Sequence, residues 1–184
     1  MVYDDIVDFP KNYKGPKLSG IIVGGGYSFF DIMRYPGASA VIENISCPYG
    51  EASIHNMIPG IENYVCKETN EQYLDTILDT DCLNFVVSAK LTTNRARKGT
   101  NECVISISRS GSSVENHWLL SFNKLADDMF KDKAVYDTKR FMEDQQIGMT
   151  LCNLLCGKTS IIDHTMFADT PLGRISSIVT IKSL

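Results

Sequence analysis

Short apolar runs alternate with amphipathic segments along this chain, and their order constrains the fold more than any single motif does. The first run, 18–23, ends in the triplet Gly24-Gly25-Gly26, a pattern typical of a buried strand that breaks into a turn. Further strands are predicted at 40–47, 83–89, 102–109 and 114–122, and helices at 27–35, 51–57, 70–79 and 140–156. Strands separated by helices form parallel sheets, whereas a hairpin contributes antiparallel strands. The order therefore predicts an α/β fold, with three α/β/α layers around a mixed, mainly parallel sheet.

Two of these helices have clear sequence boundaries. Thr69 is a favourable N-cap and Gln72 completes a capping box, so one helix is predicted to begin at Asn70. The last helix is predicted to begin at Arg140, after a charged, loop-like segment at 127–139, and to end at Gly157 as its C-cap.

The chain is predicted to contain one domain and two short flanking segments. Its 184 residues suit a single domain with its own core. Residues 1–17 are polar and contain prolines and lysines, which indicates an irregular N-terminal arm. The α/β domain is predicted over 18–157. A C-terminal extension follows over 158–184, in which 175–181 has the pattern of an edge strand.

Charge and hydropathy argue against several classes of protein. The net charge is −4, which disfavours binding to nucleic acid through phosphate neutralisation. No apolar run reaches the ~18–20 residues of a membrane helix, so no membrane association is expected. The N-terminus has neither a basic n-region nor an apolar h-region. Because the 6 cysteines lie mostly within apolar segments, we expect a cytoplasmic protein with reduced thiols.

The glycine triplet is the first candidate site. Glycine lets backbone N–H groups approach an anion at a helix N-terminus. The segment GGGYSF matches neither the dinucleotide-binding motif nor the P-loop. A ligand cradle and a tight strand-to-helix turn are therefore equally weighted alternatives for Gly24, Gly25 and Gly26.

A polar, basic loop at 92–99 is the second candidate site, because it follows the predicted third strand. Its threonines, arginines and lysine suit a phosphate or a carboxylate. A solvated basic loop is the alternative, with equal weight. No metal or other cofactor is expected, since the 3 histidines lack metal-ligand spacing and Cys152 and Cys156 have no further ligands nearby in sequence.

Several short blocks occur in the order found in one known family. They are Gly25-Gly26, then 36–41 (PGASAV), 48–52 (PYGEA) and 87–89 (VSA). With these blocks the chain resembles the CinA C-terminal domain family, also known as the nicotinamide-nucleotide amidohydrolases, over roughly 18–156. The loop at 92–99 and the glycine triplet look more like the eukaryotic branch of the family than the bacterial enzymes.

The resemblance implies a compact α/β domain, commonly dimeric, that hydrolyses the amide of nicotinamide mononucleotide. It places the nucleophile at Ser39 and a catalytic tyrosine at Tyr49, and it makes Ser88 a substrate contact. The predicted strand ends add Gly24, Gly25, Gly26, Thr92 and Arg95 to the substrate-binding set. The partners expected on this basis are a small-molecule nucleotide and a second copy of the chain.

The chain departs from the family pattern where catalysis would occur. The family's polar first loop, Glu-Ser-Cys-Thr-Gly-Gly, is replaced by IIVGGG at 21–26. The family's lysine base falls on Ile54, and its arginine in the last helix falls on Glu143 or Asp144. A serine without an adjacent base is a weak nucleophile.

Three functions are therefore compared. The first is a degenerate CinA-like domain that at most binds a nucleotide. The second is an active amidohydrolase on nicotinamide mononucleotide or a related amide, with His55 or Glu51 as a rearranged base. The third is a non-catalytic structural or assembly subunit.

Overall fold

The structure, a computed structural model, describes residues 4–79, 81–93, 99–109, 115–124, 132–158, 163–167 and 176–184. Its helices are α1 (Asp4–Val7), α2 (Phe9–Asn12), a 3₁₀ helix η1 (Tyr27–Arg34), α3 (Ala38–Val41), α4 (Glu51–Met57), α5 (Lys67–Ile77) and α6 (Lys133–Leu155). Its strands are β1 (Leu18–Val23), β2 (Ile42–Ser46), β3 (Leu83–Lys90), β4 (Asn101–Ser108), β5 (Glu115–Phe122), β6 (Asp163–Phe167) and β7 (Ser176–Ser183).

The strands form one sheet in the order β2-β1-β3-β4-β5-β7-β6. Strand β1 runs parallel to β2 and β3, whereas the other four pairings between described strands are antiparallel. The predicted α/β class, the mixed sheet and the β4–β5 hairpin are confirmed. The expected predominance of parallel pairing does not hold, because β3, β4 and β5 are antiparallel neighbours and β7 and β6 extend the sheet in the same way.

One face of the sheet is covered by α6, η1 and the N-terminal helices. Its core contains apolar and aromatic side chains from all of these elements. Residues 4–17, expected to form an irregular arm, instead include α1 and α2 and bury Ile6, Phe9 and Tyr13. The Phe9 ring lies 5.6 Å from that of Phe29 in an edge-to-face arrangement. The arm is structured because its few apolar residues are three and four positions apart, so that short helices place them on one side.

The other face of the sheet is covered by α4 and α5 and mixes apolar with polar side chains. Tyr73 and Leu74 pack over the sheet within the smaller apolar cluster. Beside them the Asn70 amide donates to Ser106 Oγ over 2.9 Å, and Ser106 Oγ lies 2.8 Å from His117 Nδ1. Glu71 completes this set, with Oε1 3.4 Å from His117 Nε2. Four polar side chains, two from α5 and two from the sheet, therefore form a connected network between them.

Two helix starts differ from the sequence expectation. Helix α5 begins at Lys67 with Cys66 as N-cap, because Thr69 Oγ1 donates to Asn63 O over 2.5 Å and holds the preceding connection instead of capping the helix. Helix α6 begins at Lys133, where Asp132 accepts from Ala134 N over 2.9 Å as the N-cap. Residues 133–139, predicted as part of a charged loop, therefore form the first turns of α6.

Candidate functional site

A cavity of about 600 Å³ opens at the C-terminal ends of β1 and β3. Sheets with parallel strands bind ligands at this edge. The cavity has an apolar floor formed by Val23, Ile54, Val65, Ala89 and Leu91. Polar groups line its walls, so the cavity combines a hydrophobic base with a small number of hydrogen-bonding side chains, as ligand pockets do.

Three tyrosines line the walls of this cavity. They come from separate parts of the chain: Tyr49 precedes α4, Tyr64 precedes α5, and Tyr136 lies in the first turn of α6. Tyr49 is 70% exposed, and its ring centroid lies 6.1 Å from that of Tyr27. An exposed ring beside a cavity is available to stack on a planar ligand.

Among the described residues, two cations also line the cavity. Lys90 Nζ lies 3.5 Å from Glu102 Oε1, so its charge is already paired. Arg140 is half-buried, and its Nη1 donates to Thr92 O over 3.0 Å. A guanidinium has five N–H donors in a fixed plane, so this single bond orients Arg140 and leaves further donors for an anion.

Glu143 holds the strand ends next to Arg140 in place. Its carboxylate accepts from Thr92 N over 2.6 Å and from Thr92 Oγ1 over 2.8 Å. It also accepts from Asn101 Nδ2 over 3.0 Å, and Lys139 Nζ lies 3.2 Å away in a fully buried ion pair. The carboxylate thus ties together both ends of the connection between β3 and β4.

Asp144, the next residue, holds the glycine turn. Its carboxylate accepts from Gly26 N over 2.7 Å, from Tyr27 N over 2.9 Å and from Ser28 N over 2.8 Å. Ser28 Oγ donates to the Asp144 backbone carbonyl over 2.8 Å. The N–H groups that start η1 therefore already have an anionic partner from α6.

Each glycine of the turn is packed against the chain itself. A Cβ on Gly24, where φ is +79°, would lie 2.1 Å from Ala89 O. On Gly25 it would lie 2.7 Å from Leu91 Cδ1, and on Gly26, where φ is +90°, 2.8 Å from Ile147 Cγ2. Close packing and left-handed backbone account for glycine at these positions. Of the three, Gly24 also lines the cavity.

The structure brings together only some of the sequence-predicted site residues. Gly24, Tyr49 and Thr92 line the cavity. Ser39 is exposed on α3, lies outside the cavity lining, and makes no side-chain hydrogen bond with the described residues. Ser88 is fully buried in β3, and its hydroxyl has no partner within the described part of the chain. Arg95 lies outside the described residues.

Sequence reasoning missed Tyr64, Tyr136 and Arg140. Tyr64 lies in an irregular connection, where no pattern marks it. Tyr136 precedes the predicted helix start and Arg140 coincides with it. The two residues are four positions apart, so both lie on one face of α6. Extending the helical periodicity back from Ile147 would have aligned them with Glu143 and Asp144.

Within the described residues no group of three or more histidine, cysteine, aspartate or glutamate side chains is placed to hold a metal ion. The same part of the chain contains no helix long and apolar enough to cross a bilayer.

Comparison with solved structures identifies the fold. A CinA superfamily protein from Klebsiella pneumoniae aligns with a TM-score of 0.56 and 10% identity, covering 85% of this chain and 99% of that one. The competence/damage inducible protein CihA from Agrobacterium tumefaciens aligns with a TM-score of 0.54 and 13% identity, covering 86% and 93%. No protein-family model and no curated protein matches the sequence. The chain therefore has the fold of CinA superfamily structures at very low sequence identity.

Proposed function

We propose that this chain is a CinA-like domain that binds a small anionic ligand with an aromatic ring, of mononucleotide size, and has lost amide hydrolysis. The observation that carries the proposal is the cavity at the ends of β1 and β3, where tyrosine side chains and Arg140 surround an apolar floor. This combination suits a planar ring joined to a phosphate.

The cavity matches such a ligand in size and chemistry. About 600 Å³ lies within the range of small-molecule pockets. The tyrosine rings offer stacking surfaces, and Arg140 offers paired N–H donors of the kind that bind phosphate oxygens. Its bond to Thr92 O already fixes the guanidinium, so little side-chain entropy is lost on binding.

The arrangement around Ser39 supports loss of hydrolysis. Serine becomes a nucleophile when a base removes its proton. Ser39 has no such partner among the described residues, and it does not line the cavity. Ile54, at the position where the family resemblance places a lysine base, is buried in the cavity floor. An apolar side chain there can neither accept the proton nor hold a substrate amide.

An active amidohydrolase is the second candidate, and one cluster favours it. His55 Nε2 lies 3.3 Å from Tyr64 Oη at the cavity wall and 3.7 Å from Glu51 Oε1. A histidine oriented by a carboxylate is a common general base. His55 could act as the rearranged base only if the bound substrate lay between this cluster and the atom that is attacked.

Two measurements on the pure protein separate the candidates. Calorimetry with nicotinamide mononucleotide should give a dissociation constant in the micromolar range or weaker. The phosphate-free riboside should bind at least about tenfold more weakly, since a charged hydrogen bond contributes ~1.5–3 kcal/mol. Arg140→Gln should abolish that difference. The control is Arg34→Gln, because Arg34 pairs with Asp31 on the surface and lies outside the cavity lining.

An ammonia-release assay tests the hydrolytic alternative. We expect negligible release from nicotinamide mononucleotide. Turnover above roughly 1 s⁻¹, an ordinary enzyme rate, that disappears in Ser39→Ala would establish the second candidate. If neither the nucleotide nor the riboside bound, both candidate functions would be wrong, and a structural or assembly subunit would be the remaining function.

The expected dimer and compartment belong to the same proposal. Met33, Leu78 and Phe141 are large apolar side chains that are at least half exposed, which supports a two-fold homodimer that covers some of them. Light scattering should give twice 20.5 kDa.

All 6 cysteines are free, which supports a reducing compartment such as the cytoplasm.

A further inference from the structure

A second cavity lies at the opposite edge of the sheet from the first, where β1 and β3 begin and β4 ends. Its volume is about 400 Å³, near the lower end of the range for small-molecule pockets. Leu83, the first residue of β3, lines this second cavity, whereas Lys90, the last residue of β3, lines the first. A strand rises about 3.3 Å per residue, so these two residues lie roughly 20 Å apart. A single small ligand therefore occupies one cavity or the other.

The walls of the second cavity are largely apolar. Leu83 comes from the sheet, Leu155 from the last turn of α6, and Pro16 from the connection between α2 and β1. Tyr13 adds an aromatic ring, which stacks on the Phe9 ring with the centroids 5.3 Å apart. Separate parts of the chain thus hold an apolar surface in place for the body of a ligand.

The hydroxyl of Tyr13 is fixed and uncharged. Its Oη donates to Pro16 O over 2.6 Å. Burial raises the pKa of Tyr13 to about 12, although the nearby Arg109 guanidinium acts in the opposite direction. Tyr13 therefore brings no negative charge to the cavity, and none of the described residues that line it is acidic.

Arg109 supplies the charge of the second cavity. It directly follows β4 and lines the cavity. Within the described residues its guanidinium forms no ion pair or hydrogen bond, in contrast to Arg34, which pairs with Asp31, and to Arg140. A guanidinium binds a carboxylate through two parallel N–H···O bonds. The cavity thus combines an unbonded guanidinium with apolar walls.

The C-terminal end of α6 lies beside this cavity, and exposed carbonyl groups there would repel an anion. These carbonyl groups are already paired. Gly157 N donates to Leu154 O and Lys158 N donates to Asn153 O, each over 2.9 Å, in the pattern that caps helices ending in a left-handed glycine. The capped helix end therefore leaves Arg109 as the dominant charge at the cavity.

We propose that the second cavity is a binding site for a small monocarboxylate with an apolar body, about the size of benzoate. The carboxylate pairs with Arg109, and the apolar body packs between Leu83, Leu155 and the Tyr13 ring. A phosphate dianion is disfavoured, because it requires several donors and the described lining supplies one cationic side chain. The site is separate from the proposed nucleotide site, so either can exist without the other.

Titration of the full chain with benzoate, followed by nuclear magnetic resonance, tests where the ligand binds. The backbone amide signals of Gly15, Leu83 and Leu155 should shift saturably, with a dissociation constant in the millimolar range or tighter. No saturable shift, or shifts confined to Gly24 and Leu91 at the first cavity, would overturn the proposal.

Two further probes separate the charge from the apolar body. Benzamide has the shape of benzoate without its charge, and acetate has the charge without the ring. Each should bind the second cavity at least about tenfold more weakly than benzoate does, because each lacks one of the two contributions. Equal affinities for benzoate and benzamide would overturn the proposal.

A matched pair of variants assigns the charge to Arg109. Arg109→Gln should weaken benzoate binding to the affinity of benzamide, and its melting temperature should stay at the wild-type value because Arg109 is exposed. Arg34→Gln is the control, since it removes an arginine that lies outside this cavity, and it should bind benzoate as the wild type does. An unchanged affinity in Arg109→Gln would overturn the proposal. Failure of nucleotide binding at the first cavity would leave all of these results unchanged.

Discussion

The two faces of the sheet are stabilised in different ways. On the α6 face the core is apolar and aromatic, and the polar contacts lie at its edge, where Glu143 and Asp144 hold two chain segments. On the α5 face the buried polar side chains of Asn70, Ser106 and His117 lie within the core, and the partly exposed Glu71 completes their network at its rim. The difference shows that α6 fixes the strand ends that form the cavity, whereas α5 is held by hydrogen bonds that respond to protonation.

The largest effect is expected at the turn on the α6 face. Gly24→Ala would place Cβ 2.1 Å from Ala89 O, a backbone atom that cannot move without opening the β1–β3 pairing. We expect a loss of more than about 3 kcal/mol, or no folded protein. Gly60→Ala is the matched control, because φ is +76° there and a Cβ meets nothing within 4 Å. It should cost only the ~1 kcal/mol of the left-handed backbone. Equal losses in urea denaturation would show that close packing plays no part.

The second effect concerns the buried charge at the edge of the same face. Glu143→Ala breaks the buried ion pair with Lys139 and removes two bonds to Thr92, so we expect a loss of about 3–5 kcal/mol. Asp137→Ala on the surface of the same helix should cost less than about 0.5 kcal/mol. Guanidinium denaturation of both variants checks the contrast. A small loss at Glu143 would mean that the α6 face does not depend on this carboxylate.

The third effect distinguishes the α5 face through pH. Burial, together with nearby Lys67, lowers the pKa of His117, although Glu71 and Glu68 act in the opposite direction. The unfolded chain therefore binds a proton at a higher pH than the folded chain does, so stability should fall as the pH drops through the unfolded pKa of ~6.5. Melting curves between pH 5 and 8 measure this slope. His117→Gln should flatten it, and an unchanged slope would assign it to other groups.

The smallest effect is expected for Ser88, which is compared with a second serine on that face. Ser88→Ala removes a buried hydroxyl that has no partner among the described residues, so stability should change by less than about 0.5 kcal/mol or rise slightly. Ser106→Ala breaks contacts to Asn70 and His117 and should cost about 1–3 kcal/mol. If the two variants behaved alike in thermal denaturation, the network would contribute nothing.

Periodicity predicted the central part of the fold well. The run 18–23 and the helix 51–57 match β1 and α4 residue for residue, because burial on a regular element imposes the repeat that the sequence displays. The N-terminal helices were missed because four-residue helices are too short to display a repeat. The predicted N-cap role of Thr69 is wrong, because its hydroxyl donates to the carbonyl of Asn63 and Cys66 is the N-cap.

The site was less predictable than the fold. The glycines and Thr92 were predicted from strand ends, and Gly24 and Thr92 do line the cavity. Ser39 and Ser88 were predicted from the family resemblance, and neither lines it. The negative charges of Glu143 and Asp144 were interpreted as the loss of a ligand contact. In the structure, the Glu143 carboxylate accepts from Thr92 N and the Asp144 carboxylate accepts from Gly26 N. A sequence shows the charge of a side chain but not which segment folds back to meet it.

The C-terminal hairpin has a consequence for self-association. Strand β5 pairs with β4 on one side and with β7 on the other, over Trp118–Ser121. Without β6 and β7, β5 would present an open ladder of peptide groups, a template on which a second molecule can add a strand. The hairpin moves that boundary to β6, which is only five residues long. Strands β6 and β7 are therefore expected to protect the sheet from edge-to-edge aggregation, and a chain cut before β6 should precipitate at concentrations where the full chain stays dispersed.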